Sequence, residues 1–416
     1  MRLLFLTQVL PYPLDAGPKI RAYYTLRHLA QQHQVTLLSF VRPTDTPAQV
    51  EHLAQFCQAV HTVPMPRSRP RDALHLIGSL ITGQSFIIRR DRVPAMARRV
   101  DELLATGEFD VVHADQLWMA QYALRARTAG RKPNSPLPRL VLDEHNACYL
   151  IVRRLAAEER NPLKRALAML ESRKMARYEV ETCRRFDRVV WVTEQDHQAV
   201  EQQASDGERR VPRSAVIPIC GDPTTTPMIG RKPGAQRVTF LGGLHYPPNA
   251  QGVLWFVRHV WLLILQQIPD AVLTVIGKDP PSGIQYPISN IHQSNLEVTG
   301  YLPDPTPYLA ETAAFIVPLL AGGGMRVKIV DAWMWGLPVV STTIGAEGIE
   351  TRPGENILIA DTPAEFAQAV VRLLRDREAG QRIGQAGRRW AEQRYDWRTV
   401  YRAWDEVYTI PEEGFA

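Results

Sequence analysis

The residues best suited to chemistry lie in one stretch, AGGGMRVKIVDAWMWGLPVVSTTIGAEG, from Ala321 to Gly348. Gly322, Gly323 and Gly324 follow an apolar run ending at Pro318 and precede a helical pattern whose first turn carries Arg326 and Lys328. A helix start of this kind offers amide donors, the positive end of the helix dipole and two cations, which together suit a diphosphate. Asp331 follows inside the helix, and a carboxylate accepts hydrogen bonds from both hydroxyls of a ribose. A glycine-rich loop alone is only a loop. Glycines, Arg, Lys and Asp in this order at a strand-to-helix junction point to a phosphate site.

Three further junctions carry polar residues. Asp15, Ala16 and Gly17 precede a helix expected from about Lys19 to Gln32; Gly17 lets backbone amides approach a phosphate and Arg21 adds charge, although the same residues also make a plain Pro-Gly turn. FLGGLHYPPN places Gly242 after a strand and Asn249 at a helix start, fit for a ligand lying against the backbone or for a turn with a cap. DVVHADQ ends a strand in His113, Asp115 and Gln116, and LVLDEHN ends another in Asp143, Glu144, His145 and Asn146. Polar clusters at strand ends are costly unless they are paired or open to a cleft. His and carboxylates so placed serve proton transfer or the orientation of a sugar hydroxyl.

What is missing narrows the chemistry. The chain has no Asp-x-Asp pair, no His-Glu-x-x-His, no Gly-x-x-x-x-Gly-Lys-Ser/Thr and no Gly-x-Ser-x-Gly. Metal-dependent diphosphate binding, zinc proteolysis, P-loop hydrolysis and the simplest serine hydrolase therefore lack their usual ligands. No Gly-x-Gly-x-x-Gly follows the first strand, which disfavours a nicotinamide dehydrogenase. Cys57, Cys148, Cys183 and Cys220 lie far apart, supporting neither a zinc site nor a disulfide scaffold, and a reducing cytoplasm fits them best. The apolar start Leu3-Leu4-Phe5-Leu6 is too short for a signal peptide. The longest apolar region, Gly252 to Ile268, is interrupted by Arg258 and His259 and reads as a buried helix.

These sites need elements to hold them. Continuous apolar runs read as strands at the start of the chain, at Asp110 to His113, Leu140 to Leu142 and Val189 to Val192, with helical stretches between them. Runs at Val238 to Leu241, Val272 to Ile276, Ala314 to Val317, Val339 to Ser341 and Ile357 to Ile359 repeat the pattern. Continuous rather than alternating apolar strands imply parallel sheets covered on both faces. The Pro-, Gly- and Thr-rich segment after residue 210 separates the halves. The fold expected is α/β: two Rossmann-like, doubly wound domains at 1–210 and 211–390 facing across a cleft, and a C-terminal helix at 391–416 packing back on the first. In such sheets ligands bind at the carboxyl ends of the strands.

With these residues in view, the chain resembles the retaining GT-B glycosyltransferases of family four, of the type associated with exopolysaccharide clusters. The resemblance rests on the Gly17 loop, DVVHADQ, ETCRRFDRVVWVTEQD, FLGGLHYPPN and GGGMRVKIVDAWMWGLPVVSTTIGAEGI. It implies sugar transfer from a nucleotide-diphosphate sugar to a saccharide or lipid-linked acceptor, without a metal or other cofactor. The donor would be held in the C-terminal domain by Gly242, Gly322, Gly323, Gly324, Arg326, Lys328 and Asp331, with Gly17 joining the diphosphate cradle. Asp115 and His145 would act on the reacting sugars, and Gln116 and Asn146 on the acceptor side. The family's two glutamates, seven residues apart, fall on Gly323 and Asp331, and its Arg and Lys after the first C-terminal strand fall on Gly243 and Asn249; Arg326 and Lys328 would replace the missing charge. A nucleotide-sugar epimerase of the same fold and a catalytically silent glycan-binding module are the rival readings.

The 416 residues carry 49 Lys and Arg against 43 Asp and Glu, a net charge of +6. From Leu150 to Val190 there are 11 basic residues, Arg160 among them, against 6 acidic, so one helical stretch accounts for most of the excess. Peripheral contact of 150–190 with an anionic membrane at the inner face is one reading; a solvated helix laced with ion pairs is the other. Nucleic acid is the least supported partner.

Overall fold

Both halves of the chain fold as expected from their apolar runs, each around a parallel sheet. A computed structural model describes residues 1–128, 137–159, 161–204, 210–280, 284 and 295–409. In the first sheet β1 (Arg2–Thr7), β2 (Gln34–Val41), β3 (Ala59–Pro64), β4 (Val111–Asp115), β5 (Arg139–Glu144), β6 (Arg188–Trp191) and β7 (Ala215–Val216) lie in the order β3-β2-β1-β4-β5-β6-β7. The second has β8 (Arg237–Leu241), β9 (Val272–Ile276), β10 (Leu296–Gly300), β11 (Thr312–Val317), β12 (Val339–Ser341) and β13 (Leu358–Ile359) in the order β10-β9-β8-β11-β12-β13. All pairs are parallel. Central strands such as β4 and β11 are buried along their whole length, as a sheet covered on both faces requires. These are two Rossmann-like domains.

Strand order reverses between β1 and β4 in the first sheet and between β8 and β11 in the second. Loops leaving the carboxyl ends of these four strands diverge to opposite faces and leave a crevice, the usual ligand position in a doubly wound sheet. Thr7, Asp115, Leu241 and Val317 end those strands. The sequence candidates Gly17, Asp115, Gly242 and Gly322 to Gly324 all lie on the segments that follow or end them.

The apolar region around Val257 is a buried, interrupted helix: Pro247–Trp255, a π-helical turn at Phe256–Val260, then Trp261–Leu265. Arg258 and His259 stand exposed on the π turn, with the apolar side chains inward. Among the described residues no helix is long and apolar enough to cross a membrane.

Two compact units result, Met1–Cys220 with Trp397–Ala416, and Gly221–Asp396. The first division lies beyond residue 210 because β7 still pairs with β6, and because the carbonyls of Ile217 and Pro218 accept Arg21 Nη1 at 2.5 and 2.9 Å. The second lies beyond 390 because the helix Arg377–Arg394 runs through that point, holding Arg388 on the carbonyls of Thr226 and Pro223 at 2.6 and 2.8 Å. The stretch Arg388 to Tyr408 is therefore not one helix. It breaks at Tyr395 and Asp396, and the short helices Trp397–Val400 and Ala403–Tyr408 belong to the first unit. Arg160 and residues 410–416 of the expected C-terminal segment lie outside the described residues.

Those short helices complete the first core. His113 Nδ1 bonds the Tyr408 hydroxyl at 2.6 Å, His28 Nε2 meets Asp405 at 2.8 Å, and Arg139 donates to the Tyr408 carbonyl at 2.7 Å. Arg21, fully buried, forms a two-pronged pair with Asp143 at 2.8 and 2.9 Å and lies against the rings of Tyr401 and Trp404 at 5.6 and 5.2 Å.

Candidate active site

In the second unit, β11 delivers the chain to the glycine loop. Gly322 and Gly324 adopt φ of +132° and +70°, backbone positions that disfavour any side chain. Arg326 explains the shape they make. It is the N-cap residue of the helix Val327–Met334, and its guanidinium turns back onto the carbonyls of Gly323 and Gly324, the latter at 2.7 Å. A Cβ on Gly322 would come within 2.8 Å of Arg326 Nη2. The loop is thus wrapped around the arginine, which addresses its own backbone.

Lys328 provides the cation at the strand ends. Its ammonium donates to Asn249 Oδ1 at 2.8 Å and lies 4.4 Å over the ring of Phe240, while Asn249 Nδ2 donates to the Gly243 carbonyl at 2.7 Å. A Cβ on Gly242 would come within 2.6 Å of the ammonium, so that glycine leaves the room the lysine occupies. Asn249 is inside the first turn of the helix Pro247–Trp255, whose N-cap is Tyr246, and so it anchors Lys328 rather than capping the helix. Asp331 lies one turn further along the helix from Lys328. Both residues are half-buried overall with their charged ends enclosed. Burial, reinforced by Arg326, lowers the Lys328 pKa to about 7; burial raises that of Asp331 to about 7 against the pull of Lys328.

In the first unit, β4 and β5 bring Asp115, Asp143 and His145 together. His145 Nε2 lies 3.0 Å from Asp115 Oδ1 and 3.5 Å from Asp143 Oδ2. Burial alone would deprotonate the imidazole, but the two carboxylates outweigh it and raise its pKa to about 9. Asp143 is buried too, yet Arg21 and His145 hold it well below the usual carboxylate range; burial pushes Asp115 upward against His145. Gln116, at φ +72°, turns the chain into the helix Leu117–Ala123 and bonds through its amide to the Asp143 carbonyl at 2.9 Å. Asp115 Oδ2, Gln116 Nε2 and His145 Nδ1 are buried and have no hydrogen-bond partner among the described residues. Buried polar atoms are seldom left so, which marks this spot as one prepared for a polar ligand or water. Asn146 follows, half-buried.

Three sequence expectations change. Arg21 does not offer charge to a phosphate, since its guanidinium is spent on Asp143 and the two linker carbonyls. His113 stays beside Asp115 and Asp143 but gives its Nδ1 to Tyr408, and burial, aided by the Arg21 charge, drops its pKa to about 3. Glu144 belongs to a separate buried group beside Glu179, which receives the Cys148 and Tyr149 amides at 2.7 and 3.1 Å and so caps the helix Cys148–Glu158. Gly17 opens the helix Gly17–Leu29, whose N-cap Ala16 supplies no side-chain cap. Phe240 was not singled out for the site; it sits in an apolar strand, where nothing local separates a core residue from one under a cation.

Two potential ligand clusters, His113 with Asp115 and Asp143, and Glu144 with Cys148 and Glu179, are close enough to hold a cation. Several of their donors are already engaged within the chain. Asp143 is neutralised by Arg21, Asp115 is bonded to His145, and Glu179 accepts two amides.

The two units match two family descriptions, "Glycosyl transferase 4-like domain" over residues 16–215 and "Glycosyl transferases group 1" over residues 235–376. The chain carries two glycosyltransferase-family domains and has the GT-B fold. Sucrose-phosphate synthase from Thermosynechococcus elongatus superposes with a TM-score of 0.70 at 15% identity, covering 98% of each chain. Anabaena HepE in complex with UDP gives 0.64 at 17% identity, covering 98% of this chain and 99% of that one; HepE is also solved with UDP-glucose. At these identities the likeness is one of fold. An uncharacterized 44.6 kDa protein in the cps region of Klebsiella pneumoniae is 28% identical over 172 residues, a match spanning 39% of this chain and 44% of that relative's length.

Proposed function

We propose that this protein moves a hexosyl group from a nucleotide-diphosphate sugar to a saccharide or lipid-linked acceptor, with retention, in polysaccharide or glycoconjugate biosynthesis at the cytoplasmic side of a membrane. The observation that carries the reading is the placement of the candidate residues at the carboxyl ends of both switch-point strand pairs. The UDP and UDP-glucose complexes of HepE and the cps-region relative support the donor class and the pathway.

In the second unit, amides of Gly322 to Gly324 receive the diphosphate, with Arg326 holding the loop open and Lys328 supplying charge over Gly242. Asp331 accepts the ribose hydroxyls. The first unit presents the acceptor: Asp115 Oδ2 accepts from a sugar hydroxyl, His145 donates through Nδ1, and Gln116 and Asn146 complete the polar surroundings. Held protonated between two carboxylates, His145 is a donor and not a base. Retention then follows a front-face substitution. The bond from the anomeric carbon to the diphosphate oxygen breaks as the acceptor oxygen bonds on the same face, and the acceptor proton passes to the leaving phosphate. Such a step needs stabilisation of the departing diphosphate, here by Lys328 and loop amides, and no metal.

A thermal-shift screen with nucleotide sugars tests this reading, because a ligand bound only by the folded state raises its melting temperature. One or more nucleotide sugars should shift the transition, and product analysis should show transfer to an acceptor. Isomerised or hydrolysed donor in the absence of acceptor would favour the epimerase, and no response to the whole panel would favour a silent binding module.

A further inference from the structure

The helix Arg69–Thr82 lies on the first unit with its polar side inward. A surface helix ordinarily turns its apolar stripe to the core. Here the buried residue is Ser79, whose hydroxyl and carbonyl oxygens accept the Lys174 ammonium at 3.1 and 2.9 Å. Across the helix from Ser79 stand Leu74, Ile77 and Ile81, with Leu74 70% and Ile81 80% exposed. The neighbouring helix Pro162–Cys183 is joined to this one through Lys174, and its Glu171 accepts the Ser85 hydroxyl and the Phe86 amide. It carries a second exposed stripe, Leu163, Leu167 and Leu170, at the i, i+4, i+7 spacing of one helical face.

Cations outnumber acids beside these stripes. Beside the first stripe Arg69 and Arg71 stand against Asp72, and beside the second Lys164, Arg165 and Arg173 stand against Glu171, whose carboxylate is held by Ser85 and Phe86; Lys174 and Arg67 are taken up by Ser79 and Asp91. The choice of occupant follows from that imbalance. A second copy seated across a twofold axis would bring the same cations face to face. A surface of anionic headgroups over acyl chains satisfies both features, the cations meeting phosphates and the leucines and isoleucines entering the acyl boundary. Helix Arg69–Thr82 has 14 residues, too few to span a bilayer, which needs about 20; it suits lying in the interface.

We infer that the outward apolar face of helix Arg69–Thr82, with the first turns of helix Pro162–Cys183, is a docking surface for an anionic lipid bilayer. This places the membrane contact on a specific helix pair and brings in a helix outside the basic stretch 150–190. The inference is independent of which sugar is transferred.

Flotation with vesicles of phosphatidylcholine alone, or mixed with phosphatidylglycerol, tests it on the full chain without any donor, so its failure leaves the transfer reading untouched. The wild type should float with the mixed vesicles and much less with phosphatidylcholine. Ile77→Asp combined with Ile81→Asp should lower the bound fraction by about tenfold or more, and added salt should weaken wild-type binding. Met228→Asp, which changes an exposed apolar residue of the second unit, should bind like wild type. The melting temperature of the double variant should be unchanged because both side chains are exposed; if it is not, Leu74→Ser decides by the same readout. Undiminished binding by the Ile77→Asp/Ile81→Asp variant, or wild-type indifference to phosphatidylglycerol, overturns the inference. So does a concentration-dependent dimer that Ile77→Asp dissolves, which would give the face to a second copy.

Discussion

The ammonium of Lys328 rests on Asn249 Oδ1 at 2.8 Å, joining the helix after the glycine loop to the helix after β8. Charge from one switch-point loop is thereby carried to the backbone of the other, at Gly242. The resemblance implied that the cations of this family, absent at Gly243 and Asn249, had moved to Arg326 and Lys328; the contact gives Lys328 a geometry for that exchange.

Removing the lysine should show it. Lys328→Ala should weaken donor binding by about 10- to 100-fold, the range for a hydrogen bond to a charged group, with melting temperature little changed. Gly242→Ala should reproduce much of this loss without touching the cation, because its methyl would need the space of the ammonium. Isothermal calorimetry on both variants checks the assignment, and wild-type affinity in both would remove Lys328 from the donor site.

Arg326 acts differently, by shaping the loop. Arg326→Ala should weaken the donor as well, and Arg326→Lys should fail to restore it, since Nη1, the one nitrogen that meets both glycine carbonyls, stands at the far end of a planar guanidinium whose reach and shape an ammonium does not reproduce. Rescue by lysine would point to charge alone.

Donor binding should depend on pH through the same lysine. In the empty site Lys328 loses its proton near pH 7, and a bound diphosphate favours the charged form, so binding takes up a proton as pH rises from about 7 toward about 9 and affinity falls over that range. Calorimetry in two buffers of different ionisation enthalpy measures the uptake directly. In Lys328→Met the uptake in this range should vanish.

His145 should leave a mark on stability. Its folded pKa of about 9 lies above the ordinary value near 6.5, so the stabilisation it brings is complete below pH 6.5 and is lost as pH rises through 9. Urea midpoints across that range should fall in the wild type and fall less in His145→Gln. The same variant, and Asp115→Asn, should lower kcat while leaving the donor Kd near wild type.

Much of this was legible in the chain before any coordinates. Long apolar runs gave away the central strands because both faces of those strands are buried. β3 (AVHTVP) and β10 (LEVTG) escaped notice because they are edge strands, partly exposed, and read as mixed polarity. The glycine loop was visible because φ above zero and a close backbone approach leave few residues to choose from. Arg21 misled for a physical reason: a cation in a first helical turn looks the same whether it meets a phosphate or a carboxylate, and its carboxylate is 122 residues away. Asn249 at a helix start reads equally as a cap for the same reason, since the lysine it holds comes from another strand's loop.

Breaking the buried Arg21 pair should be costly. Arg21→Met should destabilise the first unit by about 3–5 kcal/mol by leaving Asp143 charged and buried, while the double change with Asp143→Leu should recover part of the loss. Urea unfolding of the three variants measures the coupling, and additive effects would refute it.

The rings that cover Arg21, Tyr401 and Trp404, come from chain made after the whole second unit. A ribosome therefore releases a contiguous segment, Gly221–Asp396, that can fold as soon as it emerges, while the earlier unit waits with an open flank for its closing helices. The unit begun first is the one whose chain is completed last. A chain stopped at Asp396 would hold a finished second unit and a first unit with the Arg21 pair bared to water, a natural target for chaperones and proteases.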